Sequence, residues 1–569
     1  MKISSFDIFD TCLVRKCGTP ENFFDVFSLK VFNHEVPEWA RQEFVAARRL
    51  TEQKLWRENP RYTLQDIWVE FDWSHQFLKP KKELCQLEQE LEREMLVPVL
   101  SMRDKVNECR KHGDKIIFIS DMYLSSDFLI DILRNYGFYQ DGDSLYVSCE
   151  CGALKWNGEL FEYVRKHENL PSFRHWHHYG DNKQGDYNAP KELGIKCTLI
   201  NHAYTPYQQQ WAENDYSLGF KYPSILAGLG RAIHYSTEWN THTDFVLDII
   251  APFYCSLVYR MMKDAEQRGI KRLYFCARDA WPLFNIALIF KSLFPSIESK
   301  YLYISRKSLY EGNEEAKIRY FEQMRLATHG KDVAIVDVRS QGKTQRFLSD
   351  FLIKKGYQEV FGYYFEMFTL KEMKYFNPYH CEVNGAYLTM NHNLDQFLLC
   401  RWELYENFFS LNNFQKTIDY SIDNIGIAYP VFSEKTDFED SFHKDISHWS
   451  NIHKTIIESY AQQYKLCGLY KYASEIFEHV VIRTLSSIMI MPKKYYLCAL
   501  ENFTSYNAHD QKYVPYVKRL SIYELIVKRA RIGNKWRRAS IIYTLPNWLL
   551  SILKFLKHAK TLNHSSTCL

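Results

Sequence analysis

The sequence predicts an α/β protein: two units built on parallel sheets, followed by a helical basic tail. Three observations carry this. Short apolar runs of strand length, Ser4–Phe9 and Ile116–Ser120 among them, alternate with longer stretches whose apolar residues recur at helical spacing. The alternation restarts after a polar and aromatic stretch at 204–242. Acidic, hydroxyl and basic residues fall where the strands end, the edge at which open parallel sheets collect ligands.

At 569 residues the chain exceeds one core and predicts two to four domains. Hydrophobic residues at 46% and charged residues at 25% are ordinary for globular proteins. A net charge of +4 gives no argument for nucleic acid. Forty Tyr and 38 Phe supply ring-stacking surfaces. The 14 cysteines are scattered, and Cys149 and Cys151 have no second pair at zinc spacing, so reduced thiols of a cytosolic protein are expected. The start, MKISSFDIF, lacks the apolar core of a signal peptide. No run of about 18 apolar residues suited to a membrane span is expected.

The first domain is read over 1–203. After the opening strand come about 100 mostly helical residues, then strands ending at Ser120, near Ser148, at Gly180 and at Asn201. Four strand-end sites follow in order: Asp7, Ser120, Lys155 and the Asp181/Asp186 pair. A carboxylate such as Asp7 is a nucleophile for phosphorus. Carboxylate and phosphate repel each other, so a divalent ion with hard oxygen ligands is expected to bridge them. The irregularly spaced His175, His177 and His178 are read as structural or surface residues.

This succession resembles the haloacid dehalogenase superfamily of phosphohydrolases, with a helical cap at about 14–112. The resemblance implies Asp7 as nucleophile, with Ser120 holding a phosphate oxygen and Lys155 offsetting charge. It implies Mg²⁺ held by Asp7, Asp181, Asp186 and the backbone carbonyl of Phe9. The family's phosphatases usually carry a second Asp two residues after the nucleophile as acid/base. Here that position is Phe9, and Asp10 follows it, so Asp10, a cap residue or water must supply the proton.

The second unit is read over 204–425, with 204–242 as a linker. Arg278 and Asp279 lie at one strand-to-helix turn, and a second strand is read as ending at Ser305 and Arg306. Asp337 is read as ending a third strand, before Arg339, Ser340, Gln341, Gly342, Lys343 and Thr344. This loop resembles the phosphoribosyltransferase signature. Asp337 falls on the second acidic position, Val336 replaces the first, and Ser340–Thr344 fall on the phosphate loop. The turn at Arg278 is the candidate pyrophosphate loop, and Arg306 adds charge.

Residues 426–569 are read as helical. Between Lys512 and Lys560 there are twelve Lys or Arg and one acid, Glu524. The apolar band from Trp548 to Leu556, with its lysines, suits a helix lying on an anionic membrane surface. The whole resembles two-domain proteins of capsule and O-antigen clusters. That implies transfer of 5-phosphoribofuranose from phosphoribosyl pyrophosphate to a glycan acceptor, then removal of the phosphate, at the cytoplasmic face of the plasma membrane. Two alternatives stand beside it: a phosphosugar phosphatase with a non-catalytic second domain, and an inactive membrane-surface scaffold.

Overall fold

In the computed structural model the described residues are 2–32, 36–59, 61–213, 222–238, 241–340, 342–367, 385–387, 409–410, 415–434, 437–479, 493–500, 504–507, 512–515, 517–521, 537–546 and 549–550. The chain divides into two compact units, Met1–Trp239 with Gln463–Leu469, and Asn240–Gln462 with Tyr470–Leu569.

The first unit is built on a five-stranded parallel sheet in the order Ser144–Val147, Lys115–Ser120, Ile3–Phe6, Trp176–Gly180, Lys196–Leu199. The chain starts in the centre, fills one side, then returns to fill the other. Ile3–Phe6 is wholly buried because both its edges are paired and both its faces are covered. Leu160, Phe161 and Val164 from one flanking helix pack on Ile117, Ile119 and Trp176.

Between sheet strands Ile3–Phe6 and Lys115–Ser120 lies a helical cap: Pro20–Phe32, Glu38–Glu58, Leu64–Glu70 and Lys81–Met95. Its stalk is a short antiparallel pair, Leu13–Arg15 with Leu96–Pro98, braced by a buried Arg15–Glu92 ion pair at 2.7 Å. Phe27, Phe32, Phe44, Trp68 and Phe71 make its aromatic centre. The fully buried Arg48 contacts Glu88 at 2.6 and 3.1 Å, and Trp68 Nε1 donates to the same carboxylate at 3.0 Å. The cap is shorter than the expected 14–112, because helix Leu100–Lys111 packs on the sheet instead.

The expected boundary at 203 is also displaced. Helices Pro206–Glu213 and Tyr222–Ser236 belong to the first unit rather than to a linker. The physical reason is composition: Tyr222, Ile225, Leu226, Leu229 and Ile233 are all buried, so the second helix is core. It also approaches the chain at Gly18, where a methyl group on Gly228 would stand 2.3 Å from the Gly18 backbone.

The second unit has its own five-stranded parallel sheet, in the order Gly385–Tyr387, Phe361–Met367, Val333–Ser340, Arg272–Cys276, Glu298–Leu302. Helix His242–Gln267 is long and apolar enough to cross a membrane, contrary to the sequence expectation, but 89% of its apolar window is buried inside the protein. Residues 426–569 form no separate body, and they contain the antiparallel pair Thr504–Asn507 with Lys512–Pro515 as well as helices. Most of the basic tail, including Glu524, Trp548 and Lys554–Lys560, lies outside the described residues.

Candidate active site

Three neighbouring strands of the first sheet end at one place. Asp7 stands one residue past Phe6, and its backbone N–H donates to Tyr179 O at 2.8 Å. Ser120 is the last residue of its strand. Asp181 follows Gly180, the last residue of its strand. Lys155 comes from the connection between two helices, where the Asp121 carboxylate accepts its backbone N–H at 2.9 and 3.1 Å. Asp186 sits in a π-helical turn, Lys183–Asn188, capped by the Asn182 side chain.

The buried Lys155 ammonium joins these parts. It donates to Asp7 Oδ1 at 2.5 Å and to Asp186 Oδ1 at 2.6 Å. His178 Nε2 contacts Asp186 Oδ1 at 3.0 Å, and its Nδ1 pairs with the Ser5 hydroxyl at 2.7 Å. Asn182 N–H donates to Asp186 Oδ2 at 3.0 Å. Thr11 Oγ1 donates to Asp181 Oδ1 at 3.3 Å. Gly180 is required here, because any side chain at that position would occupy the space of the Asp186 carboxyl.

Burial pushes Asp7 above the usual carboxylate range, and Asp186 and Asp181 add to this while Lys155 opposes it. Asp181 is pushed up to about 6 by burial, then by Asp10 and Asp186. Burial acts to raise Asp186 as well, but Lys155 and His178 hold it well below the usual range. Burial works against charge on Lys155, yet Asp186 and Asp7 outweigh it and keep it a cation.

Oxygens of Asp7, Asp181 and Asp186 lie within 4.8 Å of one another. Three crowded carboxylates are a hard, all-oxygen donor set, and they fit Mg²⁺. Asp7 and Asp181 are the more available ligands, since both oxygens of Asp186 are already engaged.

These residues line a cleft of about 720 Å³ between sheet and cap. Phe9 and Asp10 line it too. The Arg15 guanidinium covers the Phe9 ring at 4.6 Å, so an aromatic contact occupies the position two residues after Asp7. Asp10 adopts a left-handed backbone (φ 52°) and accepts from Arg231 Nη2 at 3.0 Å. Arg231 also donates to Gly18 O at 3.2 Å. Sequence reasoning missed Arg231, Asp121 and the place of His178 beneath the site. Of the histidines read as structural or surface residues, His177 contacts Thr198 at 2.8 Å, whereas His178 is part of the charge chain.

In the second unit, Arg278 and Asp279 follow strand Arg272–Cys276. Asp279 is pushed up to about 6 by burial, with Arg278 opposing. Arg306 opens a short helix whose cap is Ser305, and that hydroxyl donates to Thr417 O at 2.6 Å. Asp337 does not end its strand. Pairing with Phe361–Met367 carries the strand on to Ser340, with Asp337 opposite Tyr364 and Arg339 opposite Glu366. The expected phosphate loop over Ser340–Thr344 is therefore cut at both ends. Ser340 is in the strand, Gly342 is a left-handed N-cap, and Lys343 and Thr344 are the first helical residues. Gln341 lies outside the described residues.

No family model and no curated protein sequence matches the chain. Solved structures similar to it include YfnB of Bacillus subtilis, described as a HAD-hydrolase and bound to magnesium. It shows 16% identity, covering 36% of this chain and 90% of that one, with a TM-score of 0.27. A 2-haloacid dehalogenase of Pseudomonas syringae pv. Tomato shows 12% identity, covering 36% and 87%, at a TM-score of 0.27. The L-2-haloacid dehalogenase of Xanthobacter autotrophicus shows 13% identity, covering 40% and 86%, at a TM-score of 0.28. At these values the comparisons carry no argument about activity, which has to come from the side chains.

Proposed function

We propose that the first unit is a Mg²⁺-dependent phosphatase of the haloacid dehalogenase type, acting on a phosphorylated sugar. The observation that carries this is the buried chain Asp7–Lys155–Asp186–His178 at the strand ends, with Asp181 and Ser120 in the same cleft. An Asp7 oxygen attacks phosphorus, the ester P–O bond breaks, and an aspartyl-phosphate forms. Water then attacks that phosphorus and frees Asp7. Lys155 holds Asp7 in place and offsets negative charge as it develops on the phosphoryl oxygens. Ser120 donates to one of those oxygens. Asp7 and Asp181 would hold Mg²⁺, which would supply further charge neutralisation. Phe9 has no proton to give, so Asp10, held by Arg231, is assigned proton transfer to the leaving oxygen.

The finer reading adds the second unit. It is proposed to transfer ribofuranosyl 5-phosphate from phosphoribosyl pyrophosphate to a glycan, in capsule or O-antigen synthesis, before the first unit removes the phosphate. Support comes from its topology. From Arg272–Cys276 the chain first steps to one side of the sheet and then to the other, which makes a switch point beside Val333–Ser340. Arg278 and Asp279 stand just past the end of Arg272–Cys276 at that point. With Ser340 in the strand and Lys343 and Thr344 in the helix, Arg278, Lys343 and Thr344 carry more of the phosphate contact in this proposal. Membrane contact through 512–560 and a place at the cytoplasmic face belong to the same proposal, and nucleic acid is no part of it.

The test is phosphate release from a phosphosugar panel with Mg²⁺, comparing wild type with Asp7→Asn. Magnesium-dependent release that the substitution abolishes supports the phosphatase. Release that survives Asp7→Asn removes it.

A further inference from the structure

The cleft is far larger than a phosphoryl group needs, and its cap wall has a chemistry of its own. Helix Glu38–Glu58 buries Ala40, Phe44, Val45, Arg48 and Thr51 in the cap. The residues it presents to the cleft are Arg49, Glu52, Gln53, Trp56 and Arg57, a stripe at spacings of three and four along one face. Glu52 is taken up by Arg48 at 2.8 Å. The two cleft arginines are not. Among the described residues Arg49 has only an exposed pairing with Glu21 at 3.8 Å, and Arg57 forms no ion pair. Trp56 is 45% exposed, and on the sheet side Trp156, next to Lys155, is 59% exposed. Two large indoles left open at one cleft, with two under-used guanidiniums, are the parts of a binding site for a ring that carries negative charge.

We propose that this wall is a second-anion subsite. It rests on the phosphatase reading alone and, for the first unit, replaces the glycan-borne ribosyl monophosphate with a sugar bisphosphate. One phosphoryl group meets Asp7, Ser120 and Lys155. The sugar ring lies against Trp56 and Trp156. The second phosphate pairs with Arg49 and Arg57.

The experiment measures kcat/KM with Mg²⁺ for matched mono- and bisphosphates of glucose, fructose and ribose. It compares wild type with Arg49→Ala/Arg57→Ala and Arg49→Lys/Arg57→Lys. Wild type is expected to prefer a bisphosphate. The alanine pair should cut the bisphosphate-to-monophosphate ratio by about ten- to hundredfold, and the lysine pair should keep most of it. A wild type without that preference, or a ratio unmoved by the alanine pair, overturns the subsite. If wild type hydrolyses none of these esters, the phosphatase reading fails by itself. Calorimetric binding of the same compounds to Asp7→Asn protein then decides the subsite separately. Tighter bisphosphate binding that is lost with both arginines upholds it, and equal binding overturns it.

Discussion

Replacing Gly180 with alanine asks whether the fold itself sets the distance between strand end and charge chain. The new methyl group would stand 2.4 Å from Asp186 Cγ, 2.5 Å from its Cβ and 2.6 Å from its Oδ2. Ordinary carbon contacts begin near about 3.5 Å, so the Asp186 side chain must retreat by about 1 Å. The retreat pulls Oδ1 away from Lys155, now at 2.6 Å, and from His178, now at 3.0 Å. Overpacking of this kind costs about 1–3 kcal/mol, and each weakened bond to a charged group adds a share of its roughly 1.5–3 kcal/mol. A net loss of about 2–4 kcal/mol is expected, read by urea unfolding followed by circular dichroism. Turnover of the best phosphosugar is expected to fall about 100-fold, because Lys155 loses one of its two anchors. Gly194→Ala is the control, since open space surrounds that position and only its positive φ is strained. If Gly180→Ala keeps stability within about 0.5 kcal/mol and activity within about threefold, Gly180 does not set the site.

Three further outcomes are expected. Arg48→Met strands the buried Glu88 carboxylate and should cost about 3–5 kcal/mol in thermal unfolding, while Arg48→Met/Glu88→Leu should recover much of it. A single variant as stable as wild type would contradict this. In the second unit, His242 and His453 face each other with their Nε2 atoms 2.6 Å apart, a contact that needs at least one neutral ring. Burial depresses both, His242 to about 4. Depressed histidines contribute stability above their unfolded value of about 6.5, and it is lost as pH falls toward 4. Urea unfolding at pH 7.5 and pH 5 should differ by up to about 2 kcal/mol from His242, and His242→Gln/His453→Gln should flatten the difference. Finally, Gly228→Ala meets the Gly18 backbone and should make helix Tyr222–Ser236 more open to protease, with an unchanged digestion pattern as the contrary result.

Much of the first site is legible in the sequence for a topological reason. Asp7, Ser120 and Asp181 each stand where an apolar strand run stops. Parallel strands end on one edge, so residues far apart in sequence converge. What escapes is whatever lacks a local period. Arg231 reaches Asp10 from 221 residues away, and no pattern in either segment announces it. His178 looks like one of three scattered histidines until the strand's alternation turns it inward onto Asp186. The stretch at 204–242 reads as a linker because its aromatic and polar residues hide the apolar face of Tyr222–Ser236. Asp337 reads as a strand end because Arg339–Thr344 look like a loop. The pairing of Arg339 and Ser340 with Glu366 and Met367 is a property of the neighbouring strand, which the local sequence does not contain.

The measurement that tests the central claim most directly is to look for phosphate on Asp7. Protein mixed with Mg²⁺ and its best phosphosugar is quenched in acid within one turnover, digested, and read by mass spectrometry. The account predicts one phosphoryl group on the peptide containing Asp7, absent in Asp7→Asn, together with a loss of steady-state turnover of at least about 10³-fold. Full turnover with no label on that peptide, or label on another residue, would contradict it.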